Sequence, residues 1–108
     1  MALSKKEKTI LAACKSAIES IDTGAEVVLY GSRARGVATD EYDYDHLVLC
    51  DSPSTIENED RFRRALYDIQ LETSTVITVV MANREEWNSP LTQAMPLHQN
   101  IKRDGSAL

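Results

Sequence analysis

Two short stretches decide the fold: VVLYGS at residues 27–32, and DYDHLVLC at residues 43–50. Each contains an apolar run with β-branched residues, which is typical of a buried strand. The first run ends at Gly31, and the second begins with Asp43 and Asp45. A polar segment that could form a short helix lies between them. The pattern predicts two neighbouring strands whose polar ends carry the candidate chemistry.

The flanking segments predict helices and one more strand. A first helix is expected to begin at the capping box of Ser4 and Glu7 and to end at Gly24. A second helix is expected to begin near Ser54. Residues 75–81, TVITVVM, form the clearest strand by propensity.

The remainder predicts helical pieces. Asn83 and Glu86 form a further capping box, and Pro96 opens a last helix that Gly105 closes. The order of elements predicts one α/β (α+β) domain over residues 1–108. Its small sheet should be mixed, with three strands packed by helices.

Composition restricts the classes of function. The net charge of -5 and the pI of about 4.9 argue against binding to duplex nucleic acid, which requires excess Lys and Arg. No apolar stretch is long enough to span a membrane, and no secretory signal follows Met1. Cys14 and Cys50 lie in apolar patterns and are predicted to be buried thiols. We expect a cytoplasmic protein.

Asp43 and Asp45 form the first candidate site. Side chains two residues apart on a strand point to one face, roughly 7 Å apart. Two carboxylates this close repel unless a cation lies between them, and Mg²⁺ prefers such oxygen ligands. Taken alone, such a pair is more often merely solvated on an exposed face.

Gly31 and Ser32 form the second candidate site. Glycine allows a phosphate to approach the backbone, Ser32 offers a hydroxyl, and a helix start after them would provide free N–H groups. An ordinary turn at the end of a strand is the simpler alternative. The two candidates together predict a phosphate cradle facing a metal site.

The stretch from Gly31 to Gly36, followed by Asp43 to Val48, resembles the G-S-x-A-x-G … D-x-D-L-x-V signature of minimal nucleotidyltransferases. These are small relatives of aminoglycoside nucleotidyltransferases and of DNA polymerase β. The resemblance implies a polymerase β-like fold. It also implies transfer of a nucleoside monophosphate, with AMP expected, from an NTP to a hydroxyl acceptor.

The resemblance also assigns roles to individual residues. It implies that Asp43 and Asp45 are catalytic and hold two Mg²⁺ ions. The residues implied to bind the nucleotide and its phosphates are Gly31, Ser32, Arg33 and Arg35. For the two arginines, solvated charge on a short helix is an equal alternative.

Three positions depart from the family pattern. Tyr42 stands where serine is usual, and His46 stands where an apolar residue is usual. Strand alternation predicts that His46 points away from the Asp pair and is packed or on the surface. Thr78 stands where the third carboxylate is expected. Glu72 and Asp68 are the candidate substitutes, with Glu72 as the candidate metal ligand, and solvated charge at a helix end is the favoured alternative for both.

The departure at Thr78 leaves two functional hypotheses open. The first is an active, metal-dependent enzyme whose acceptor comes from a partner or a second subunit. In the family the partner is often a helical HEPN-type toxin, so the chain would be its antitoxin. The second is a weak or inactive module that binds nucleotide or docks a protein. An exposed edge of the third strand would also allow homo-oligomers.

Overall fold

The computed structural model describes residues 4–31 and 44–108. The helices in these ranges are α1 (Lys5–Ile21), α2 (Ile56–Thr73), α3 (Arg84–Trp87), α4 (Pro90–Gln93) and α5 (Pro96–Asp104). The strands are β1 (Glu26–Tyr30), β2 (Tyr44–Cys50), β3 (Ile77–Asn83) and β4 (Ser106–Ala107). None of these helices combines the length and the apolar character needed to cross a bilayer.

Both long helices begin at side-chain caps. The hydroxyl of Ser4 accepts a hydrogen bond from the amide of Glu7 at 3.1 Å, and the carboxylate of Glu7 accepts one from the amide of Ser4 at 3.4 Å. This confirms the predicted capping box. Helix α2 is capped by Thr55 instead of Ser54, because the Thr55 hydroxyl accepts from the amide of Asn58 at 3.2 Å.

The sheet is mixed and has the strand order β3-β2-β1-β4. Strand β1 is antiparallel to β2 and to β4, whereas β2 and β3 are parallel. The expectation of a small mixed sheet packed by helices is confirmed, but the sheet has a fourth, two-residue strand. Its residues pair with Val28 and Leu29, and the amide of Leu108 donates to the carbonyl of Val27 at 2.9 Å. A strand of two residues is too short to show a sequence periodicity, so its formation depends on pairing with β1.

The two faces of the sheet have different environments. One face packs against α1 and α2, and its buried residues include Leu29, Val48 and Val79, together with Phe62 and Leu66 of α2. Because side chains alternate along a strand, the residues between these on β1, β2 and β3 point to the opposite face. The strand residues that are available to form a functional site are therefore those on the face opposite the core.

His46 is fully buried on the core face of β2. Its Nδ1 lies 3.1 Å from the carbonyl of Tyr44, which can only accept, so Nδ1 carries the proton. Its Nε2 has no hydrogen-bond partner among the residues that the structure describes. Burial lowers the pKa of His46, and this effect exceeds the opposing influences of the Tyr44 and Thr78 backbone and of the Asp45 charge. The side chain is packed and points away from Asp45, as strand alternation predicts.

The buried His46 should make stability depend on pH. Its folded-state pKa lies below its unfolded value, so the unfolded state takes up more protons as the pH falls through about 6.5. We expect the free energy of unfolding to have its full value above this pH and to decrease below it. Urea unfolding of the wild type and of His46→Leu between about pH 7.5 and 5.5 measures this. The variant should lose less stability over that interval, and equal losses in both proteins would contradict the prediction.

Candidate active site

Three side chains lie in one row across the sheet. In the register of the strands, Asp45 of β2 is opposite Tyr30 of β1 and beside Thr78 of β3. Paired residues of neighbouring strands share a face, so all three point away from the core. We call them the Tyr30–Asp45–Thr78 row. Each of the three residues is partly exposed.

A hydrogen bond joins two members of the row. The hydroxyl of Thr78 donates to Oδ1 of Asp45 at 2.6 Å. A hydrogen bond to an ionised carboxylate is shorter and stronger than one between neutral groups. The bond holds the Asp45 carboxylate in one orientation, and Thr78 occupies the position where the family pattern places an acid.

Gly31 follows the row at the end of β1 and requires glycine for two reasons. Its φ of +78° lies in the left-handed region that side chains disfavour. In addition, a Cβ atom on Gly31 would lie 2.5 Å from Oδ2 of Asp45. The backbone of Gly31 therefore lies directly against the carboxylate, and the two predicted site residues are brought together.

Tyr30 is a site residue that the sequence analysis missed. Burial raises the pKa of its phenol, and the charge of Asp45 raises it further. The phenol consequently keeps its proton at neutral pH and can donate a hydrogen bond at this face. The sequence carried a signal for Tyr30, because this residue directly precedes Gly31 on a strand that ends at the site.

Several predicted site residues are not part of this geometry. Those that fall outside the described residues are Ser32, Arg33, Arg35 and Asp43, together with the predicted short helix. Glu72 is exposed near the end of α2, whose buried side chains pack on the core face. No group of three potential metal ligands from His, Cys, Asp and Glu occurs within residues 4–31 and 44–108.

The donor atoms of the row suit a hard cation. Asp45 supplies carboxylate oxygen, which Mg²⁺ prefers, and Thr78 supplies a neutral hydroxyl. Asp43 lies two residues before Asp45 in the sequence and is the predicted second carboxylate. The described part of the row therefore fits a hard cation through the Asp45 carboxylate, and Asp43 stays a predicted second ligand.

A cavity of about 380 Å³ adjoins the row at Thr78. It lies between α2 and β3, which is the outer strand of the sheet. Its polar lining on α2 comes from Arg63, Tyr67 and Gln70, and Gln70 also accepts a hydrogen bond from the amide of Ile77 at 2.8 Å. The volume is within the range of small-molecule sites. Because Ile77 and Val79 also line it, the cavity lies on the helix side of β3 and reaches the row only at Thr78.

Comparison with known proteins agrees with this geometry. The chain superposes on a solved structure of a protein proposed to be a minimal nucleotidyltransferase, with a TM-score of 0.62 over 94% of each chain. Their sequences are 22% identical, so this similarity shows the fold alone. No curated protein matches the sequence significantly. The family model described as a nucleotidyltransferase domain matches residues 8–98. That range covers most of the chain and contains Gly31, Asp45 and Thr78, so the protein belongs to the nucleotidyltransferase domain family.

Proposed function

We propose that the protein transfers a nucleoside monophosphate from an NTP to a hydroxyl acceptor. The observation that carries this proposal is the fixed Asp45 carboxylate, which Thr78 orients against the backbone of Gly31. In a chain of this family, a carboxylate beside a strand-ending glycine is suited to bind a nucleotide through its phosphates and a cation.

Each residue of the site has a proposed role. Gly31 lets the triphosphate approach the backbone, and Ser32, Arg33 and Arg35 would contact the phosphates. Asp43 and Asp45 would hold Mg²⁺, with Glu72 as a candidate additional ligand. When bound, Mg²⁺ would supply positive charge to the phosphoryl oxygens. The protonated phenol of Tyr30 is placed to donate a hydrogen bond beside Asp45.

The proposed reaction balances as a phosphoryl-group displacement. The acceptor oxygen forms a bond to the α-phosphorus, and the bond from that phosphorus to the bridging oxygen breaks. Pyrophosphate leaves with the electron pair of the broken bond, and the proton of the acceptor hydroxyl passes to solvent water. The residues of the site contribute mainly by positioning the phosphates and offsetting their charge.

The donor and the partner are narrower proposals. We propose AMP as the transferred group, so that ATP is the donor. The acceptor would be presented by a helical HEPN-type partner, with the chain as its antitoxin, or by a second copy of the chain. The support for these proposals is the resemblance of residues 31–48 to minimal nucleotidyltransferases.

A second candidate function is a binding module without turnover, and Thr78 favours it. No residue of β3 is acidic, so this strand offers no carboxylate to take the acceptor's proton. Incubation of the chain with α-labelled ATP, Mg²⁺ and a host-cell extract separates the two candidates. Label transferred to a protein, and absent with Asp45→Asn, assigns an enzyme. Nucleotide binding without transfer assigns the module.

Removal of the paired carboxylates should abolish metal-dependent binding. We expect wild-type protein to bind ATP in the presence of Mg²⁺ and the Asp43→Asn/Asp45→Asn variant to bind at least about tenfold more weakly, which is about 1.4 kcal/mol. Isothermal titration with and without Mg²⁺ measures this. The matched control is Glu57→Gln/Glu85→Gln, which removes two exposed charges on α2 and α3. Wild type that binds no NTP, or a site variant that binds as well as wild type, would contradict the proposal.

A side chain at Gly31 should displace Asp45. Gly31→Ala places an alanine in the left-handed region and brings its Cβ to 2.5 Å from the Asp45 carboxylate. We therefore expect a loss of about 1–3 kcal/mol in unfolding free energy. We also expect weaker Mg²⁺-dependent binding of ATP. Gly24→Ala is the control, because its Cβ would meet Asp22 at an ordinary 3.5 Å. Chemical denaturation and titration calorimetry give the two readouts. Equal behaviour of the two alanine variants would refute the close packing of Gly31 on Asp45.

A further inference from the structure

The cavity between α2 and β3 begins where the Tyr30–Asp45–Thr78 row ends. Thr78 lines the cavity and also donates its hydroxyl to Asp45 at 2.6 Å, so the cavity opens within one side chain of the carboxylate. In the described part of the sheet, β3 is an outer strand with β2 on one side only. A ligand can therefore pass round the edge of β3, from the face of the row into the cavity on the helix side.

Two planar side chains of α2 form one wall of the cavity. Arg63 and Tyr67 are four residues apart, so they lie on the same face of the helix. Tyr67 is 54% exposed, and its ring is accessible to a ligand. A phenol ring and a guanidinium plane both stack on flat ring systems. Ile77 and Val79 supply the apolar part of the lining.

Gln70 presents a hydrogen-bond donor to the cavity. Its Oε1 accepts a hydrogen bond from the amide of Ile77 at 2.8 Å. Because a backbone amide can only donate, this contact fixes which end of the Gln70 side chain is the oxygen. The NH₂ group is consequently turned away from the backbone of β3, where it can donate to an acceptor atom of a ligand.

The charges around the cavity disfavour an anion. The guanidinium of Arg63 forms ion pairs with Glu59, at 2.5 Å, and with Asp60. Two carboxylates thus offset its positive charge, and a phosphate in the cavity would meet them as well as the arginine. A neutral, flat ligand with acceptor atoms avoids this repulsion. A nucleobase has these properties, and bases stack on aromatic side chains.

Building on the proposed function, we propose that this cavity binds the base of the nucleoside triphosphate whose phosphates lie at Asp45 and Gly31. Tyr67 stacks on the base, and the amide of Gln70 donates to an acceptor atom of its ring. The volume of about 380 Å³ is in the range of small-molecule sites. Tyr67 and Gln70 are then the residues that recognise the base, while the row serves the phosphates.

The ratio of the affinities for ATP and for ribose 5-triphosphate tests the inference, because the second ligand has the same sugar and phosphates without the base. Isothermal titration in the presence of Mg²⁺ measures both affinities. We expect wild type to bind ATP at least about fivefold more tightly, which is the lower end of the effect of base stacking.

Three variants assign this preference to the cavity. Tyr67→Ala removes the ring, and the ratio should fall toward one. Gln70→Glu keeps an acceptor for the amide of Ile77 but removes the donor, so the ratio should fall here as well. Tyr67→Phe is the matched control, because it keeps the ring, and its ratio should equal that of wild type.

The possible outcomes separate this inference from the proposed function. A ratio of about one in wild type would overturn the inference and leave the proposed function standing, because the phosphates would still bind. A high ratio that Tyr67→Ala and Gln70→Glu retain would place the base elsewhere and overturn it as well. Wild type that binds neither ligand would defeat the proposed function and this inference with it. Thermal melting shows whether Gln70→Glu is folded, and if it is not, the exposed Tyr67→Ala decides.

Discussion

The register of β2 between β1 and β3 is the constraint on which the site depends. A slip of one residue would exchange the two faces of a strand and would place Asp45 in the core. The side chains that prevent this are the buried His46, Val48 and Cys50, which alternate with Asp45 and Leu47 along β2. Core packing against α1 and α2 therefore holds the carboxylate between Tyr30 and Thr78. The site is thus positioned by buried residues on the opposite face of β2.

Local signals in the sequence were sufficient for much of this fold. Strand propensity located β1 and β2, and the capping box located the start of α1. Alternation also placed His46 on the core face. The start of β3 was less well predicted, because residues 75 and 76 continue the β-branched pattern although the strand begins at Ile77. A small mixed sheet packed by helices was also predicted, and the structural comparison agrees with it.

Features that depend on contacts between distant residues could not be predicted from local signals in the sequence. Strand β4 is defined by its pairing with β1, and the hydrogen bond from Thr78 to Asp45 joins residues 33 positions apart. The sequence analysis identified Thr78 as a missing acid, but it could not show that the hydroxyl binds the remaining one. It missed Tyr30 for the same reason, since the environment of that phenol depends on the register. The roles of Ser32, Arg33, Arg35 and Asp43 remain predictions from the motif.

Replacement of an acid by threonine changes how the site and the fold depend on a cation. Two adjacent carboxylates on neighbouring strands would repel in the absence of metal, and that repulsion would oppose the register that the core imposes. With Thr78, the same position donates a hydrogen bond to Asp45 instead. The described part of the fold therefore needs no counter-charge at this position, because β3 contributes no acid. The register that places Asp45 between Tyr30 and Thr78 can form before any ligand binds.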